Sequence, residues 1–512
     1  MMPRTSLAEE AVALTSPGRV SLLSPWPAGK PIDLSDIARG ERRPVLPAVT
    51  GIAWDSRAVQ PGDVFIALRG GRHDGHLHID SAIQSGAVAV VVERPTDQAV
   101  PELVVSDTRR AMSGLSALLF NHPARRLRLI GVTGTDGKTT TVHLAHALLV
   151  AAGTPAGAMS TLSFIGRNGQ RSPNATDMTT PEAPALHHFM AEQERAGAAA
   201  IVIESTSHGF AQRRLDDCRF EVAAVTNLTP EHLDFHGTYE RYAAAKLRVL
   251  DLLEDVGTLV THEGDRELDR FRQAWRGHEL GFGIGGGQIR ADRLIDDGRC
   301  CCFTMRRGGS SARVRLPMTG RHNVLNALAA ASIAVACGCE LDSVAAALGR
   351  KVHLPGRLEK VGDSKPVRVL VDFAHTPAGL EAVMSALRPN TPGRLVVVFG
   401  SAGGRDGAKR PAMGRAVSGY ADVVLLTADD PRDEDPAQIA EEIRRGMVGD
   451  GSAPDVRVVV DRGEAIRTAI SQARAGDTVL IAGKGGQLKM YVDGGRALPW
   501  NDVAEAQAAL SG

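Results

Sequence analysis

The sequence predicts an α/β protein of three domains. A small N-terminal α/β domain precedes a central ATPase domain of the P-loop type with a mostly parallel sheet, and a Rossmann-like α/β domain follows. The length of 512 residues fits three domains of roughly 150 residues each. Apolar strand-like runs alternate with helical patterns along the chain, as in α/β folds. Many of these runs end in polar residues, at the sheet edge where open parallel sheets bind ligands.

Composition and charge narrow the classes of function. Hydrophobic residues make up 43% and charged residues 23% of the chain, so each domain can bury a core. Lys plus Arg equals Asp plus Glu at 59 each, and this balance gives no reason to expect nucleic acid or an anionic membrane as partner. The six cysteines lack a pair of C-x-x-C motifs, so we expect no zinc site and a reducing compartment. We therefore expect a cytoplasmic monomer that acts on small molecules.

Shifts in composition suggest the domain boundaries. Residues 1–45 are rich in Pro and Ser, and we expect a disordered extension rather than a signal peptide. The N-terminal domain is predicted over residues 46–125 and the central domain over residues 126–355. Pro355 and Gly356 mark a hinge, after which residues 356–512 form the C-terminal domain.

The strongest local signal is the segment GVTGTDGKTTT at residues 131–141, between an apolar run and a helical pattern. Glycines let backbone N–H groups approach phosphate oxygens, and the following helix N-terminus adds partial positive charge. Lys138 is expected to reach the β- and γ-phosphates, and the Thr139 hydroxyl to contact Mg²⁺. The strict pattern has glycine at position 132, where this chain has valine. Because strand, loop and helix agree, we interpret the segment as a nucleotide site rather than an ordinary glycine turn.

Polar residues also follow two later apolar runs of the central domain. Glu204 ends the first run, and a carboxylate at a strand end suits Mg²⁺. The second run leads into NLTPEHLDFHG, which contains His232, Asp234 and His236. Such a concentration of functional side chains favours an active site over a chance polar loop. Lys246 lies in the helical pattern YERYAAAKLRVL, where a lysine considered alone is by default solvated.

In the C-terminal domain, charged clusters at residues 372–375, 403–406 and 429–432 follow predicted strands. Because the carboxyl ends of parallel strands share one edge, we expect the clusters to face one pocket. Arginine suits bidentate binding of carboxylates, and aspartate suits ammonium groups. The clusters therefore predict a pocket for a molecule that carries both groups.

Together these motifs resemble the Mur ligases, ATP-dependent amide-forming enzymes that build the peptide stem of the bacterial cell-wall precursor. The resemblance covers about residues 49–510. The matching motifs, in order, are DSR with PGDVFIAL, GTDGKTT, MTTPE, ESTSHGFAQRR, NLTPEHLDFHGTYERYAAAK, GRHNVLNALAA, LPGRLE, DFAHTP, GRDGAKRPAM, DDPRDEDP and GKG. The chain is most similar to members that add a diamino acid to UDP-N-acetylmuramoyl-L-alanyl-D-glutamate in peptidoglycan synthesis. Each motif alone is weak, whereas the ordered set is specific.

The resemblance implies a role for each matching position. The uridine end of the UDP precursor would contact Trp54 and Ser56, and its muramoyl-peptide would contact Thr179, Thr180, Thr206, Gln212 and Arg214. ATP would contact Gly134, Thr135, Asp136, Gly137, Lys138, Thr139, Thr140 and Asn323. The incoming amino acid would contact Arg405, Asp429, Asp430, Pro431, Arg432, Gly483 and Gln487.

The resemblance also implies the catalytic group: Lys138, Glu204, His232 and Lys246. It reverses the default for Lys246, which would react with CO₂ to give N6-carboxylysine, a carbamate. Mg²⁺ would be held by Thr139, Glu204, His232 and that carbamate. The D-glutamyl carboxylate would attack the γ-phosphate of ATP, and the amine would then attack the resulting acyl phosphate. Closure of the three domains would exclude water from that intermediate.

Three positions depart from the family pattern. Asp136 stands where Asn is usual, DDPR replaces DNPR, and Gln487 stands where Glu usually pairs with the distal ammonium of diaminopimelate. Arg405 and Arg432 still favour carboxylates, so meso-diaminopimelate is the favoured substrate. Lysine or ornithine is the alternative, with Asp430 meeting a terminal ammonium.

Two further hypotheses differ in activity. Another ligase of the family, such as folylpolyglutamate synthetase, is disfavoured by the DSR and PGD motifs and by DDPR. A catalytically silent paralogue that binds nucleotide or precursor is disfavoured because Lys138, Glu204, His232 and Lys246 are all present.

Overall fold

The computed structural model describes residues 18–30, 45–70, 74–362, 366–447 and 453–511. Their strands form sheets of five, eleven and six strands and one two-stranded hairpin. The three large sheets follow one another along the chain, each with its own helices, which confirms the predicted three-domain α/β class. Within these ranges, no helix has the length and apolar character needed to cross a membrane.

The first sheet has the order β1-β2-β3-β4-β5, in which only the pairing of β1 with β2 is antiparallel. Its elements are β1 Arg19–Trp26, β2 Val49–Ala53, β3 Asp63–Ile66, α1 Ile79–Gln84, β4 Ala89–Val92, β5 Glu102–Val104 and α2 Thr108–Leu119. The prediction of a disordered extension over residues 1–45 is wrong for residues 19–26. They form an edge strand, in which Val20 is buried against the sheet. Residues 1–17 and 31–44 lie outside the described residues.

The central sheet is parallel in its middle and antiparallel at both edges, in the order β16-β15-β14-β13-β12-β11-β6-β10-β7-β8-β9. Its strands are β6 Arg128–Thr133, β7 Ala156–Met159, β8 Ser163–Ile165, β9 Arg171–Pro173, β10 Ala200–Glu204, β11 Phe220–Val225, β12 Leu253–His262, β13 His278–Ile284, β14 Ile289–Asp296, β15 Cys301–Arg307 and β16 Ser310–Leu316. Its helices are α3 Lys138–Ala151, α4 Ala183–Arg195, α5 Ser207–Ala211, α6 Leu233–His236, α7 Tyr239–Leu247, α8 Asp269–Ala274, α9 Arg321–Ala336 and α10 Leu341–Leu348. Apolar clusters cover both faces of this sheet, and one of them includes α3 and α9. The carboxyl ends of the parallel strands are therefore the part of the sheet that remains open to a ligand.

The third sheet has the order β17-β18-β22-β19-β20-β21 and is parallel except at β17. Its elements are β17 Glu359–Val361, β18 Arg368–Val371, α11 Pro377–Leu387, β19 Leu395–Phe399, α12 Arg410–Ser418, β20 Val423–Leu426, α13 Pro436–Arg444, β21 Asp455–Val458, α14 Arg462–Ser471, β22 Thr478–Ile481 and α15 Asp502–Ser511. A hairpin of β23 Lys489–Val492 and β24 Arg496–Pro499 follows β22. The predicted hinge glycine, Gly356, has φ +61, and a Cβ there would lie 1.9 Å from Gly486 N. The segment that links the second and third units therefore packs too closely against Gly486 of the third unit for any residue larger than glycine at position 356.

A buried histidine at the junction of the first two units makes stability depend on pH. His187 on α4 is fully buried, and neither ring nitrogen has a hydrogen-bond partner among the described residues. Burial lowers its pKa to about 3, whereas an unfolded imidazole titrates near pH 6.5. Between these values the unfolded chain binds more protons, so the free energy of unfolding falls as pH falls below about 6.5.

Replacing His187 by Leu is therefore expected to flatten this dependence. The histidine alone lowers the free energy of unfolding by about 1.4 kcal/mol between pH 7.5 and pH 5.5, and His187→Leu should remove that share. Urea denaturation at the two pH values measures it, with exposed His278→Gln as control. Equal pH dependence of wild type and His187→Leu would show that His187 is protonated alike in both states.

Candidate active site

The loop between β6 and α3 has a backbone that requires glycine at two positions. Gly134 and Gly137 have φ +136 and +82, and a Cβ would lie 1.9 Å from Thr226 Oγ1 at the first and 2.1 Å from Asn326 Oδ1 at the second. Thr226 Oγ1 donates to the Asp136 carbonyl at 2.7 Å and holds the loop against the strand ends. The first N–H groups of α3 have no acceptor within the helix. The loop and the start of the helix can therefore bind an anion together.

Two lysine amines meet at this loop. Lys138 Nζ donates to the carbonyls of Thr135 at 2.6 Å and Gly134 at 3.2 Å. Lys246 Nζ, from α7, donates to the same Gly134 carbonyl at 2.6 Å. The two amines therefore share one acceptor, although 108 positions separate them along the chain.

The surroundings of Lys246 overturn the default of a solvated helix lysine. Its side chain is buried, and the amine lies over the Tyr242 ring, 4.9 Å from the centroid. Burial, and then the positive charge of Lys138, hold the pKa of Lys246 well below its usual range. Tyr242 and Lys246 are four residues apart and so share one face of α7. The site thus contains an amine that is easily neutral.

A carboxylate and a hydroxyl lie together at the end of β10. Both oxygens of Glu204 accept from Thr139 Oγ1, at 2.9 and 3.1 Å. Glu204 Oε2 also accepts from Thr161 N at 2.8 Å. Arg357, at the junction with the third unit, donates from Nη2 to Thr139 Oγ1 at 3.1 Å. Glu204 is therefore held beside the first turn of α3, where a nucleotide phosphate would lie.

Three histidines pack together beside this loop, and two of them, His208 and His232, line the same cavity as Lys138 and Glu204. His232 has the left-handed φ of +56 at the start of α6, uncommon for a residue other than glycine. Its ring packs edge-on to His208 at 4.7 Å, and His208 contacts His236 at 5.5 Å. Burial holds the pKa of His232 well below its usual range and lowers that of His208 to about 3. Both rings are therefore neutral near pH 7.

The donor set fits a magnesium ion shared with substrate. Within the described ranges, no group of three or more His, Cys, Asp or Glu residues is arranged to hold a metal, so a site closed by protein ligands alone is absent there. Mg²⁺ usually binds one or two carboxylates plus substrate phosphates and waters. The Glu204 carboxylate and the Thr139 hydroxyl supply such oxygens beside the loop. His232 is a nitrogen donor and less suited to so hard an ion.

Most of the predicted nucleotide residues line one cavity of about 1270 Å³, which extends across the second and third units. Those that line it are Thr135, Asp136, Gly137, Lys138, Thr139, Thr140 and Asn323. Gly134 is not at the surface of the cavity and instead offers its carbonyl to the two lysines. Asn323 Nδ2, in the first turn of α9, donates to Thr319 O at 2.9 Å.

Four of the five predicted muramoyl-peptide residues, all but Thr179, form one hydrogen-bonded group. Thr180 Oγ1 lies 3.0 Å from Thr206 Oγ1, and Arg214 Nη1 donates to Thr180 O at 2.7 Å. Arg214 Nη2 donates to Gln212. Thr179 Oγ1 accepts from Thr161 Oγ1 at 2.9 Å. Of this group, Thr179, Thr206 and Arg214 reach the cavity surface.

The two predicted uridine contacts lie elsewhere. Trp54 directly follows β2, and its backbone N–H donates to Gly18 O at 2.8 Å. Ser56 begins a short turn capped by the Asp55 side chain. Neither residue lines the large cavity. The structure therefore does not bring Trp54 and Ser56 together with the other predicted residues.

The predicted amino-acid residues line the other end of the cavity, in the third unit. They are Arg405, Asp429, Asp430, Arg432, Gly483 and Gln487, whereas Pro431 does not reach its surface. Asp430 is already paired: its Oδ1 accepts from the fully buried Lys484 Nζ at 2.7 Å and from Tyr491 N at 2.9 Å. Lys484 Nζ also donates to Gln487 Oε1 at 3.0 Å. Asp430 is thus poorly placed to meet a terminal ammonium.

Arg432 carries the charge that is least compensated at this end. Its guanidinium lies 5.8 Å from the centroid of the Tyr491 ring. Its Nε is buried without a hydrogen-bond partner, and no carboxylate forms an ion pair with it among the described residues. Burial, and then the positive charge of Arg432, lower the pKa of Arg405. This end of the cavity therefore favours a carboxylate.

Direct contacts join the second and third units across the cavity. Lys409 Nζ and Glu231 Oε1 form an ion pair at 2.9 Å, with both side chains largely buried. Thr376 Oγ1, at the start of α11, donates to Asp136 Oδ2 at 3.2 Å. Asp136, the departure from the family's Asn, therefore faces the third unit.

Several cavity residues are missing from the predicted site. They are Arg357, Asn326, Thr376, Lys409 and Glu231. Arg357 and Thr376 lie in LPGRLE and DFAHTP, two motifs that carry the resemblance, and those motifs were the available signal. Lys409 and Glu231 also lie in such motifs, GRDGAKRPAM and NLTPEHLDFHG, but nothing local in the sequence predicts that they pair, since 178 positions separate them.

Comparisons with known proteins match all three units of this arrangement. Three family models cover the chain: "Mur ligase family, catalytic domain" over residues 48–119, "Mur ligase middle domain" over residues 132–334, and "Mur ligase, glutamate ligase domain" over residues 356–485.

Individual relatives agree with the family models. The UDP-N-acetylmuramyl-tripeptide synthetase of Roseiflexus sp. (strain RS-1) is 40% identical over 491 residues, covering 91% of this chain and 96% of the relative. The UDP-N-acetylmuramoyl-L-alanyl-D-glutamate--2,6-diaminopimelate ligase of Syntrophomonas wolfei subsp. wolfei is 39% identical over 442 residues, covering 85% and 90%. A solved structure of a ligase of the latter name has a TM-score of 0.62 at 31% identity, covering 91% and 95%.

Proposed function

Because this chain belongs to the Mur ligase family, we propose that it is an ATP-dependent ligase of peptidoglycan precursor synthesis. It joins a diamino acid, meso-diaminopimelate, to the D-glutamyl carboxylate of UDP-N-acetylmuramoyl-L-alanyl-D-glutamate, with release of ADP and phosphate. One observation carries the proposal. The amines of Lys138 and Lys246 meet at the Gly134 carbonyl, directly behind the wall of a cavity that Lys138 lines and that continues to the uncompensated Arg432.

The first step needs positive charge between two anions. The acceptor carboxylate attacks the γ-phosphorus of ATP, and the bond between that phosphorus and the β-phosphate oxygen breaks. ADP leaves, and the acceptor becomes an acyl phosphate. Lys138 and the N–H groups at the start of α3 stabilise the negative charge on the transferring group. Thr139, Glu204 and the carbamate of Lys246 would hold Mg²⁺, with His232 as a weaker fourth ligand, and the ion would supply additional positive charge there.

The properties of Lys246 support its carbamylation. Only an unprotonated amine reacts with CO₂, and burial favours the unprotonated amine at this position. The reaction releases one proton, and the product is an anion beside Lys138. Carbamylation thus replaces a neutral amine by an anionic partner for Lys138.

The second step joins the amine to the activated carbonyl. The neutral amine of the diamino acid attacks the acyl carbon, and a tetrahedral intermediate expels phosphate and leaves an amide. Water at the same carbon would destroy the intermediate. The Lys409–Glu231 and Thr376–Asp136 contacts close the second and third units around the cavity, which limits access of water.

The amino-acid end favours meso-diaminopimelate over lysine or ornithine. All three amino acids carry a distal ammonium, and Asp430, which already accepts from Lys484 and from the Tyr491 backbone, offers that group no free carboxylate. Only meso-diaminopimelate has a distal carboxylate, which would compensate Arg432. The α-carboxylate that all three amino acids share would then pair with Arg405.

Phosphate release measures the proposed activity directly. The protein is incubated with ATP, Mg²⁺ and the UDP-muramoyl dipeptide, together with meso-diaminopimelate, L-lysine or L-ornithine. We expect turnover with meso-diaminopimelate and at least about a hundredfold lower kcat/KM with the other two, as loss of a charged hydrogen-bonding partner produces. Preference for lysine or ornithine would reverse the assignment of the pocket. A folded sample inactive with all three would support the silent paralogue.

A further inference from the structure

A buried group of three charges lies where the first unit meets the second. Arg109 projects from α2 of the first unit, Glu182 occupies the N-cap position of α4, and Arg214 follows α5. Glu182 Oε1 forms an ion pair with Arg214 Nη2 at 3.0 Å and lies 3.8 Å from Arg109 Nη1. The side chains of Glu182 and Arg214 are more than nine-tenths buried, and that of Arg109 is 23% exposed. One carboxylate is thus shared between two guanidinium groups.

The hydrogen bonding of this group is incomplete. Arg109 Nη1, Glu182 Oε2 and Arg214 Nε are all buried without a partner among the described residues. Buried polar groups are rarely left unpaired, and a net positive charge in such a place favours an anion. Arg214 also lines the large cavity. An anionic group entering from the cavity would therefore find Arg214 only partly neutralised.

We propose that Arg109 is a positioning residue for the UDP precursor: by competing for Glu182, it keeps the Arg214 guanidinium available to an anionic group of that substrate. The inference rests on the proposed function for the identity of the substrate. Arg109 itself does not line the cavity. Its effect passes through Glu182 to Arg214, and Arg214 is bonded to Thr180 in the predicted muramoyl-peptide group.

Docking of the first unit does not depend on Arg109 alone. Asp107, which caps α2, forms an ion pair with Arg213 Nε at 2.8 Å, and Ser113 Oγ accepts from Asp217 N at 3.2 Å. Both contacts join α2 to the segment after α5. Loss of the Arg109 charge should therefore change the electrostatics at Arg214 and leave the units docked.

Charge reasoning predicts an unusual double-mutant result. In Arg109→Gln, Glu182 pairs with Arg214 alone and neutralises it, so the KM for the UDP precursor should rise about tenfold, as for one lost charged interaction. The KM for ATP and kcat should stay within about twofold. Adding Glu182→Gln removes the neutralising carboxylate and should bring the KM for the precursor back to within about threefold of wild type. Arg109→Lys, which keeps the charge, should rescue most of the effect.

Steady-state kinetics with each substrate varied in turn measures these values, and Arg110→Gln, an exposed neighbour on α2, is the matched control. Restoration by the second substitution supports positioning by charge. The proposal is overturned if the double variant binds the precursor more weakly than Arg109→Gln, or if Arg109→Gln alters all kinetic constants alike or unfolds. If wild type proves inactive, calorimetric titration of each variant with the UDP-muramoyl dipeptide, without ATP, measures precursor affinity and tests the same predicted order. An inactive wild type would refute the proposed activity but not the positioning role of Arg109.

Discussion

Replacement of Lys246 by Met is expected to lower kcat by about a thousandfold or more, the size of effect seen when a charged group is lost from a phosphoryl-transfer site. Methionine is similar in length and cannot form a carbamate. Lys246→Arg should be equally inactive, because a guanidinium does not react with CO₂ under these conditions and cannot become an anion. Release of phosphate with the full set of substrates provides the measurement.

The Lys246→Met variant should be folded and at least as stable as wild type. An unfolded lysine binds a proton up to about pH 10.4, whereas burial depresses the pKa of Lys246 in the folded state. Between the depressed value and about pH 10.4 the unfolded chain binds more protons, so wild-type stability rises with pH in that window. Lys246→Met should lack this contribution in CO₂-free buffer, as urea denaturation at pH 7 and pH 9 will show.

Dependence on CO₂ separates the carbamate from a purely structural role. Wild type stripped of CO₂ should lose activity and recover it on addition of bicarbonate, and Lys246→Met should not respond. Full activity of wild type after complete removal of CO₂ would contradict the carbamate. Substantial activity of Lys246→Met would contradict any catalytic role for the amine.

Replacement of Arg432 by Ala is expected to lower kcat/KM for meso-diaminopimelate by about a hundredfold, as for loss of a buried charged hydrogen-bonding partner. The guanidinium has no carboxylate partner among the described residues, so a substrate carboxylate is its natural counter-ion. The larger share of the loss should appear in KM if Arg432 binds ground state and transition state alike. Lysine, which has no distal carboxylate, should be affected much less.

Wild type and Arg432→Ala are each assayed with meso-diaminopimelate and with lysine. The four rates together isolate the contribution of the distal carboxylate. Arg415→Ala, an exposed arginine on α12 of the same unit, controls for a general change in charge. An equal loss with both amino acids would place Arg432 at the shared α-carboxylate. In that case another residue would have to account for any preference for diaminopimelate.

Features encoded by adjacent residues were predictable from the sequence. The strand–loop–helix order around GTDGKTTT required only local patterns, and the structure confirms β6, the loop and α3 in that order. The α/β class and the three-domain arrangement are likewise confirmed. Residues 19–26 escaped prediction because a short edge strand is stabilised by its partner, here β2, and leaves little mark of its own in the sequence.

Among the predicted site residues, too, some were identifiable from adjacent residues and others were not. Glu204 and His232 were identifiable locally, because polar residues at the ends of parallel strands converge on one edge. Lys246 was not: its own helix indicates a solvated residue, and only the ordered set of motifs suggested otherwise. The assigned roles of these residues stay predictions until turnover is measured.

The sequence by itself determined the fold class, the glycine loop between β6 and α3, and the family, since each depends on residue types at short, ordered spacings. Only the tertiary structure decided the state of the charges: Lys246 is buried beside Lys138, Asp430 is neutralised by Lys484, and Arg432 is left without a partner. The physical reason is that protonation and pairing depend on burial and on distances between groups far apart along the chain. Those distances exist only after the units have packed together.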